Sequence, residues 1–337
     1  MGADHSTASF VALADLASSR VGGRAVAASD EFFAPKSNLV NPAAPIFIPG
    51  KFTHRGKWMD GWESRRRRTA GHDWCVVALG MRGRVRGVNV DTTHFSGNQP
   101  SECSIDALDS SGPLTIGQYA APTVWTQILA RSPLRADTGN LFEIDDGRPW
   151  THVRLNIFPD GGVARLRVYG DVAVDWRRVA PRGRVVDLAA IAHGGLVLGV
   201  SDMHFGARDN LIMPGRAKNM GDGWETRRRR GPGHDWAIVR LGAPGIVSRV
   251  EIDTNHFKGN YPDRASLEGC LTPGAELPVL ETASWLEILP PSNLRPHHRH
   301  FFSKELRPAG PVSHVRLNIF PDGGVSRLRI HGTLAQD

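Results

Sequence analysis

Cysteine is nearly absent from this chain. Only Cys75, Cys103 and Cys270 occur among 337 residues, an odd number at wide spacing. That excludes a disulfide-framed secreted scaffold and offers no zinc-ligand pattern, so a reducing cytoplasm is the expected setting. Long apolar runs are missing too, each broken by charge well short of the roughly 20 residues a membrane helix needs. The first residues, MGADHSTASF, lack the basic-then-apolar order of a secretory signal. No helical HExxH pair, EF-hand loop, phosphate loop or Gly-x-Ser-x-Gly elbow is present. Helical periodicity is scarce as well, with short helical turns expected only at 11–18 and 186–192.

Repetition is what the chain has in abundance. HVRLNIFPDGGV at 152–163 returns letter for letter at 314–325. DGWESRRRR at 60–68 returns as DGWETRRRR at 222–230, and HDW at 72–74 returns at 234–236. DTTHF at 91–95 becomes DTNHF at 253–257. Each recurrence lies 162 positions further on, as 222 lies from 60. Solenoid units run about 20–50 residues, so a period this long means a whole domain in tandem. The repeated letters are Arg, Asp, His, Asn, Glu and Gly rather than core aliphatics alone, so both copies keep a surface chemistry.

The first copy spans 1–175 and the second 185–337. A linker at 176–184 is expected where Trp176, Pro181 and several arginines interrupt the pattern. Ser29-Asp30 matches Ser201-Asp202 at an offset of 172, so the first copy holds ten extra residues around 46–55, including Lys51, His54 and Arg55.

Strands are read from period-two alternation. In 153–158 the aliphatics take one face and Arg154 and Asn156 the other; in 165–169 the arginines lie away from Leu166 and Val168. Turns at 159–162, 97–98 and their second-copy equivalents separate many such short runs. The fold class that follows is all-β, an antiparallel sandwich in each copy.

Net charge is +7, carried mainly by arginine. The runs 65–68 and 227–230 invite a nucleic-acid reading, yet a strand sends alternate residues to opposite faces and splits each run into pairs. Arg65 and Arg67, or Arg227 and Arg229, then either pair with nearby acids or clamp a carboxylate bidentately. The loop 91–98 brings Asp91, His94 and Asn98 to a strand end, as 253–260 brings Asp253, His256 and Asn260. It is either an Asx turn or a functional loop aimed by the scaffold. His72 and His234 open apolar runs, as strand starts or as proton carriers or metal ligands. Glu63 and Glu225 follow a tryptophan, where partial burial raises a carboxyl's pKa. Asp160 and Asp322 read as turn formers.

The blocks DGWESRRRR, GHDW, DTTHFSGN and RLNIFPDGGVARLRVYG, with their second-copy versions, resemble the allantoicase (allantoate amidinohydrolase) family from about Asp30 to Gly332. That resemblance implies a tandem duplication of a jelly-roll β-sandwich, galactose-binding-domain-like. It also implies hydrolysis of allantoate to ureidoglycolate and urea in purine-ring catabolism. Departures between the copies fall at Glu31-Phe32 against Met203-His204, Lys57 against Asn219, and Ser96 against Lys258.

Allantoate, the substrate so implied, carries one carboxylate and two ureido groups on a central carbon. Its chemistry assigns the proton transfers to Glu63 and His94, or to Glu225 and His256. Arg65, Arg67 and His72 (Arg227, Arg229 and His234) would bind the anion; Asp91 and Asn98 (Asp253 and Asn260) would bind the ureido groups. No cofactor is assigned; a divalent metal stays compatible with the recurring His and carboxylates, though no ligand spacing selects one. The expected partner is this small molecule, with no nucleic acid and no membrane, in a symmetric homo-oligomer. The rival reading is a non-catalytic tandem sandwich that binds carbohydrate or an anion.

Overall fold

Most of the alternating stretches do become strands, and the longest of them decides the architecture. This computed structural model describes residues 8–335 except 111, 113, 122 and 123. The start of the MGADHSTASF segment lies outside the described residues. The chain divides into two units, Met1–Ala173 and Val174–Asp337.

The first unit opens with β1 (Ala14–Asp15), β2 (Arg24–Ala28), β3 (Phe52–Thr53), β4 (Gly56–Lys57), β5 (Trp62–Glu63) and β6 (Asp73–Asp91). It continues through β7 (Glu102–Leu108), α1 (Ile116–Ala120), β8 (Thr126–Pro133), β9 (Gly139–Glu143), β10 (Pro149–Phe158), β11 (Gly162–Val163) and β12 (Arg165–Val172). The second unit begins with α2 (Trp176–Val179), β13 (Val186–Asp187), β14 (Leu196–Val200), β15 (Trp224–Glu225) and β16 (Asp235–Asp253). There follow β17 (Arg264–Cys270), α3 (Leu277–Glu281), β18 (Leu286–Asn293), β19 (Arg299–Phe302), β20 (Pro311–Phe320), β21 (Gly324–Val325) and β22 (Arg327–Leu334).

One antiparallel order, β1-β12-β6-β10-β7-β8 with β2 and β9 also on β6, recurs as β13-β22-β16-β20-β17-β18 with β14 and β19 on β16. The fold is all-β, duplicated in tandem as expected. At 19 residues, β6 serves both layers of its sandwich. Its first half pairs mainly with β10 and β2, its second with β12 and β9. Cys75 and Val77 from the first half meet Val88 and Val90 from the second, together with Leu155, Ile157, Leu166 and Val168, all fully buried. The inward set changes from odd to even positions because Arg86 is left unpaired opposite the Tyr169–Gly170 step. Such a bulge adds one residue and flips the faces beyond it.

The short helices expected at 11–18 and 186–192 are replaced by brief 3-10 turns, Ser9–Ala12 and Ile191–His193, around β1 and β13. The reason is local: Asp15 accepts the backbone N–H of Ala17 and of Val168, and Asp187 does the same for Ala189 and Ile330. Those bonds tie each segment to the last strand of its unit instead of to its own next turn. Residues 176–184, expected as a linker, group with the second unit, where the Trp176 ring lies 6.0 Å from that of His193.

Candidate active site

Trp62 fixes the position of Glu63. Its side chain is fully buried and its indole N–H donates to the Asp30 carbonyl at 2.8 Å. Glu63 then pairs in register with Gly162 of β11. Gly162 in turn donates its backbone N–H to the Asn98 carbonyl at 2.8 Å. A Cβ on Gly162 would lie 1.9 Å from the Phe95 ring, so only glycine lets that ring, itself fully buried, close under the loop. The PDGG turn is therefore a clasp that holds Glu63 and the loop 91–98 side by side.

The loop itself is under tension. His94 has φ +69° and Asp137 φ +49°, a left-handed backbone that non-glycine residues rarely adopt. The Asp137 carboxylate holds the His94 backbone N–H at 2.7 Å, and buried Thr92 donates its hydroxyl to the carbonyls of Arg135 and Thr138. Non-glycine strain of this kind concentrates at functional sites. His94 Nε2 lies 3.3 Å from the Pro45 carbonyl, an acceptor, so Nε2 is the donor there, and in the neutral ring the lone pair falls to Nδ1.

Asn98 Nδ2 donates to Glu63 Oε1 at 2.9 Å. Burial pushes the Glu63 carboxyl above its ordinary value, against the pull of the Asn98 hydrogen bond and of Lys57. Beside this pair lies a cavity of about 260 Å³ lined by Phe47, Lys57, Met59, His94, Ser96, Asn98 and Asp137. Its size falls just under the roughly 300–1,000 Å³ of ordinary ligand sites, suited to a small molecule.

Other residues singled out from the sequence sit elsewhere. No strand runs through 64–68, so the ladder argument for splitting the arginines does not apply. Arg65 forks onto Asp30 at 2.8 and 3.1 Å with its side chain largely exposed. Arg67 pairs with buried Asp73 at 2.8 Å, and its backbone N–H is taken by Asp160. His72 rests on the Phe158 ring at 4.7 Å, and burial lowers its pKa against the opposing pull of the Asn156 side-chain oxygen, an acceptor. Asp91 caps its own turn through the backbone and hydroxyl of Thr93. None of Arg65, Arg67, His72 and Asp91 lines the cavity.

The second unit repeats the frame. His256 has φ +71° and its Nε2 donates to the Ala217 carbonyl at 3.0 Å. Its backbone N–H is held by His297 Nδ1, where the first unit uses Asp137. Asn260 Nδ2 bonds to Glu225 and also lies 3.5 Å from the Met220 sulfur. Asp253 receives the Asn255 N–H and an ion pair from Arg216 at 3.3 Å. Arg227 bonds to His204, Arg229 pairs with Asp235, and His234 rests on Phe320 at 4.9 Å. Among the described residues, no group of three or more His, Cys, Asp or Glu side chains converges as a metal site.

Sequence reasoning missed one organiser. Arg165 is wholly buried, with Nη2 on Asp60 Oδ2 at 2.7 Å and further donors on the carbonyls of Ala43, Asp60 and Ala164. It pins the segment 43–60 that carries Pro45, Phe47 and Lys57. Arg327 binds Asp222, Gly215 and Ser326 in the same way. The signal was present: both arginines follow the repeated PDGGV block at one spacing.

The allantoicase repeat profile matches residues 14–173 and again 186–335. The chain belongs to the allantoicase family. A relative named probable allantoicase 1 from Burkholderia mallei is 50% identical over 322 residues, covering 95% of this chain and 94% of its own. One named probable allantoicase from Pseudomonas paraeruginosa is 50% identical and covers 98% of both chains. In structure, the chain is similar to the allantoicase of Saccharomyces cerevisiae at a TM-score of 0.80 and 36% identity, covering 95% of this chain and 92% of that one. Membership of this family supports the hydrolase reading and lends nothing to the rival of a non-catalytic binder.

Proposed function

We propose that this protein hydrolyses allantoate to ureidoglycolate and urea, with the first unit's cavity as its working site. The observation that carries the assignment is a carboxyl group whose pKa burial raises, Glu63, bonded to Asn98, which lines the cavity together with His94.

In this mechanism the protonated Glu63 gives its proton to the departing ureido nitrogen as the central C–N bond breaks and urea leaves. The lone pair of the remaining ureido nitrogen forms a C=N bond to the same carbon. Water then adds to that carbon and surrenders a proton to His94 Nδ1, and proton exchange restores Glu63. Asn98 has given its N–H to Glu63, so its carbonyl oxygen is the acceptor for a ureido N–H. Each positioned proton transfer contributes about 10²–10⁴-fold. Glu225, His256 and Asn260 reproduce the same set in the second unit.

The cytoplasm, a symmetric homo-oligomer and independence from nucleic acid belong to this proposal. Among the described residues, no helix is long and apolar enough to cross a bilayer. The test is urea release from allantoate by the purified chain and by its Glu63→Gln variant. Urea from the native protein and its near-complete loss in a folded variant support the assignment; undiminished release by the variant removes Glu63 as the acid.

A further inference from the structure

Resting on that reading of the first unit, a question of charge is left: the substrate is an anion, and the arginines expected to hold it are engaged with Asp30 and Asp73. We infer that Lys57 is the cation that seats the substrate's carboxylate, and that the ten-residue insertion of the first unit builds this seat.

Lys57 lines the cavity together with His94 and Asn98. Among the described residues it forms no ion pair. Its ammonium instead lies 4.6 Å over the Phe47 ring. A ring face attracts a cation without taking any of its three N–H donors, which remain available to a carboxylate. Arg165 and Arg167 also reach the segment 42–60 but are already used, donating to the backbone carbonyls of Pro42, Ala43 and Asp60.

The insertion is delimited by the matching contacts on either side. Ile46 N–H donates to Asp60 Oδ2 as Lys218 N–H donates to Asp222 Oδ2, and the carbonyls of Pro45 and Ala217 receive the equivalent histidines. The ten unmatched residues are therefore 47–56, ending against Lys57. They fold into the hairpin of β3 and β4, in which Phe52 pairs with Lys57. Trp58 closes its stem by donating to the Lys51 carbonyl at 3.0 Å, and Lys51 covers the Trp58 ring. Arg55 ties the tip back to the Phe32 carbonyl. Both Phe47, which holds the ammonium, and the strand that carries Lys57 thus come from this segment or its edge.

The second unit shows the site without the insertion. Asn219 stands at the place of Lys57, and its side chain caps the 3-10 turn Met220–Asp222. The Met220 sulfur lies against the Asn260 amide, and Glu225 is 9% exposed. The seat is a property of the hairpin and not of the shared motif.

The experiment uses the full chain with Lys57→Met, Lys57→Gln and Lys57→Arg, steady-state urea release, and calorimetric binding of allantoate to the Glu63→Gln protein with and without Lys57→Met. A charged hydrogen bond of ordinary strength predicts a KM about 10–100-fold higher in the Met and Gln variants, with kcat nearly preserved. Arg restores most of the affinity, which a merely structural lysine would not require. The same 10–100-fold weakening is expected in the calorimeter, where no turnover intervenes. A KM within twofold of native in both neutral variants overturns the seat while Glu63→Gln remains inactive and the acid assignment stands. Full turnover by Glu63→Gln overturns the acid and the site on which the seat depends.

Discussion

The two units spell their sites with the same letters and surround them differently. Glu63 and Glu225 both follow a buried tryptophan and both take an asparagine amide, and His94 and His256 share a left-handed backbone. Around the first set stand Lys57, Ser96, Asp137 and an inserted hairpin; around the second stand Asn219, Lys258, His297 and Met220. A motif fixes the frame of a site, and its neighbours decide the charge and the room that make the frame useful.

The largest effect expected from this contrast is catalytic. Glu63→Gln lowers kcat by about 10²–10⁴-fold, the worth of a positioned proton transfer, whereas Glu225→Gln lowers it by less than about tenfold. Equal losses in the two variants would show that both units turn over. Acid stability separates the units next. Burial, aided by Arg240, holds His314 down at about 4, and the residue is fully buried. Its neutral form is the folded form, so the unfolded chain binds the extra proton. The contribution of His314 is complete above pH 6.5 and is lost as pH falls toward 4, on the order of 3 kcal/mol in all. Its counterpart His152 is also lowered but is partly exposed. Limited proteolysis between pH 7 and 4 is expected to open the second unit first, and simultaneous cleavage would contradict this.

At the clasp the comparison predicts sameness. Gly162→Ala and Gly324→Ala each drive a methyl group into a buried phenylalanine, and each lowers stability by about 1–3 kcal/mol in thermal melts. The smallest expected change is a shift of a pH profile. In the proposed mechanism Glu63 works protonated, so activity is expected to fall as pH rises through its pKa. Asn98→Ala removes a donor that favours the carboxylate, so the alkaline limb of kcat/KM moves to higher pH. A limb that stays in place, or moves down, would separate Asn98 from the acid.

Much of this molecule was readable before its folding was known, and the failures have physical causes. Alternation at 153–158 gave the inner and outer faces of β10 because a regular strand has period two. The same rule could not reveal the Arg86 bulge, since one unpaired residue leaves no mark in composition. It also could not tell that the outer side of Arg165 is roofed by the segment 43–60. The duplicated loop pointed to His94 and Asn98, and the tryptophan before Glu63 pointed to a shielded carboxyl. The arginines left two readings open, pairing with nearby acids or clamping a ligand, and Arg67 and Arg229 take the first, bonding to Asp73 and Asp235. Lys57 was visible only as a departure between the copies, opposite Asn219, because a search for what the halves share gives no role to what only one of them has.

The length of β6 has a bearing on how such a protein diverges. Because one continuous backbone belongs to both layers, the layers cannot slip past each other, and their connecting loops are relieved of holding them in register. A loop with no such duty tolerates ten added residues cheaply, since closure entropy grows only with the logarithm of length. Novelty in one half of a doubled protein can thus arise at the rim, while the paired framework beneath it stays as inherited.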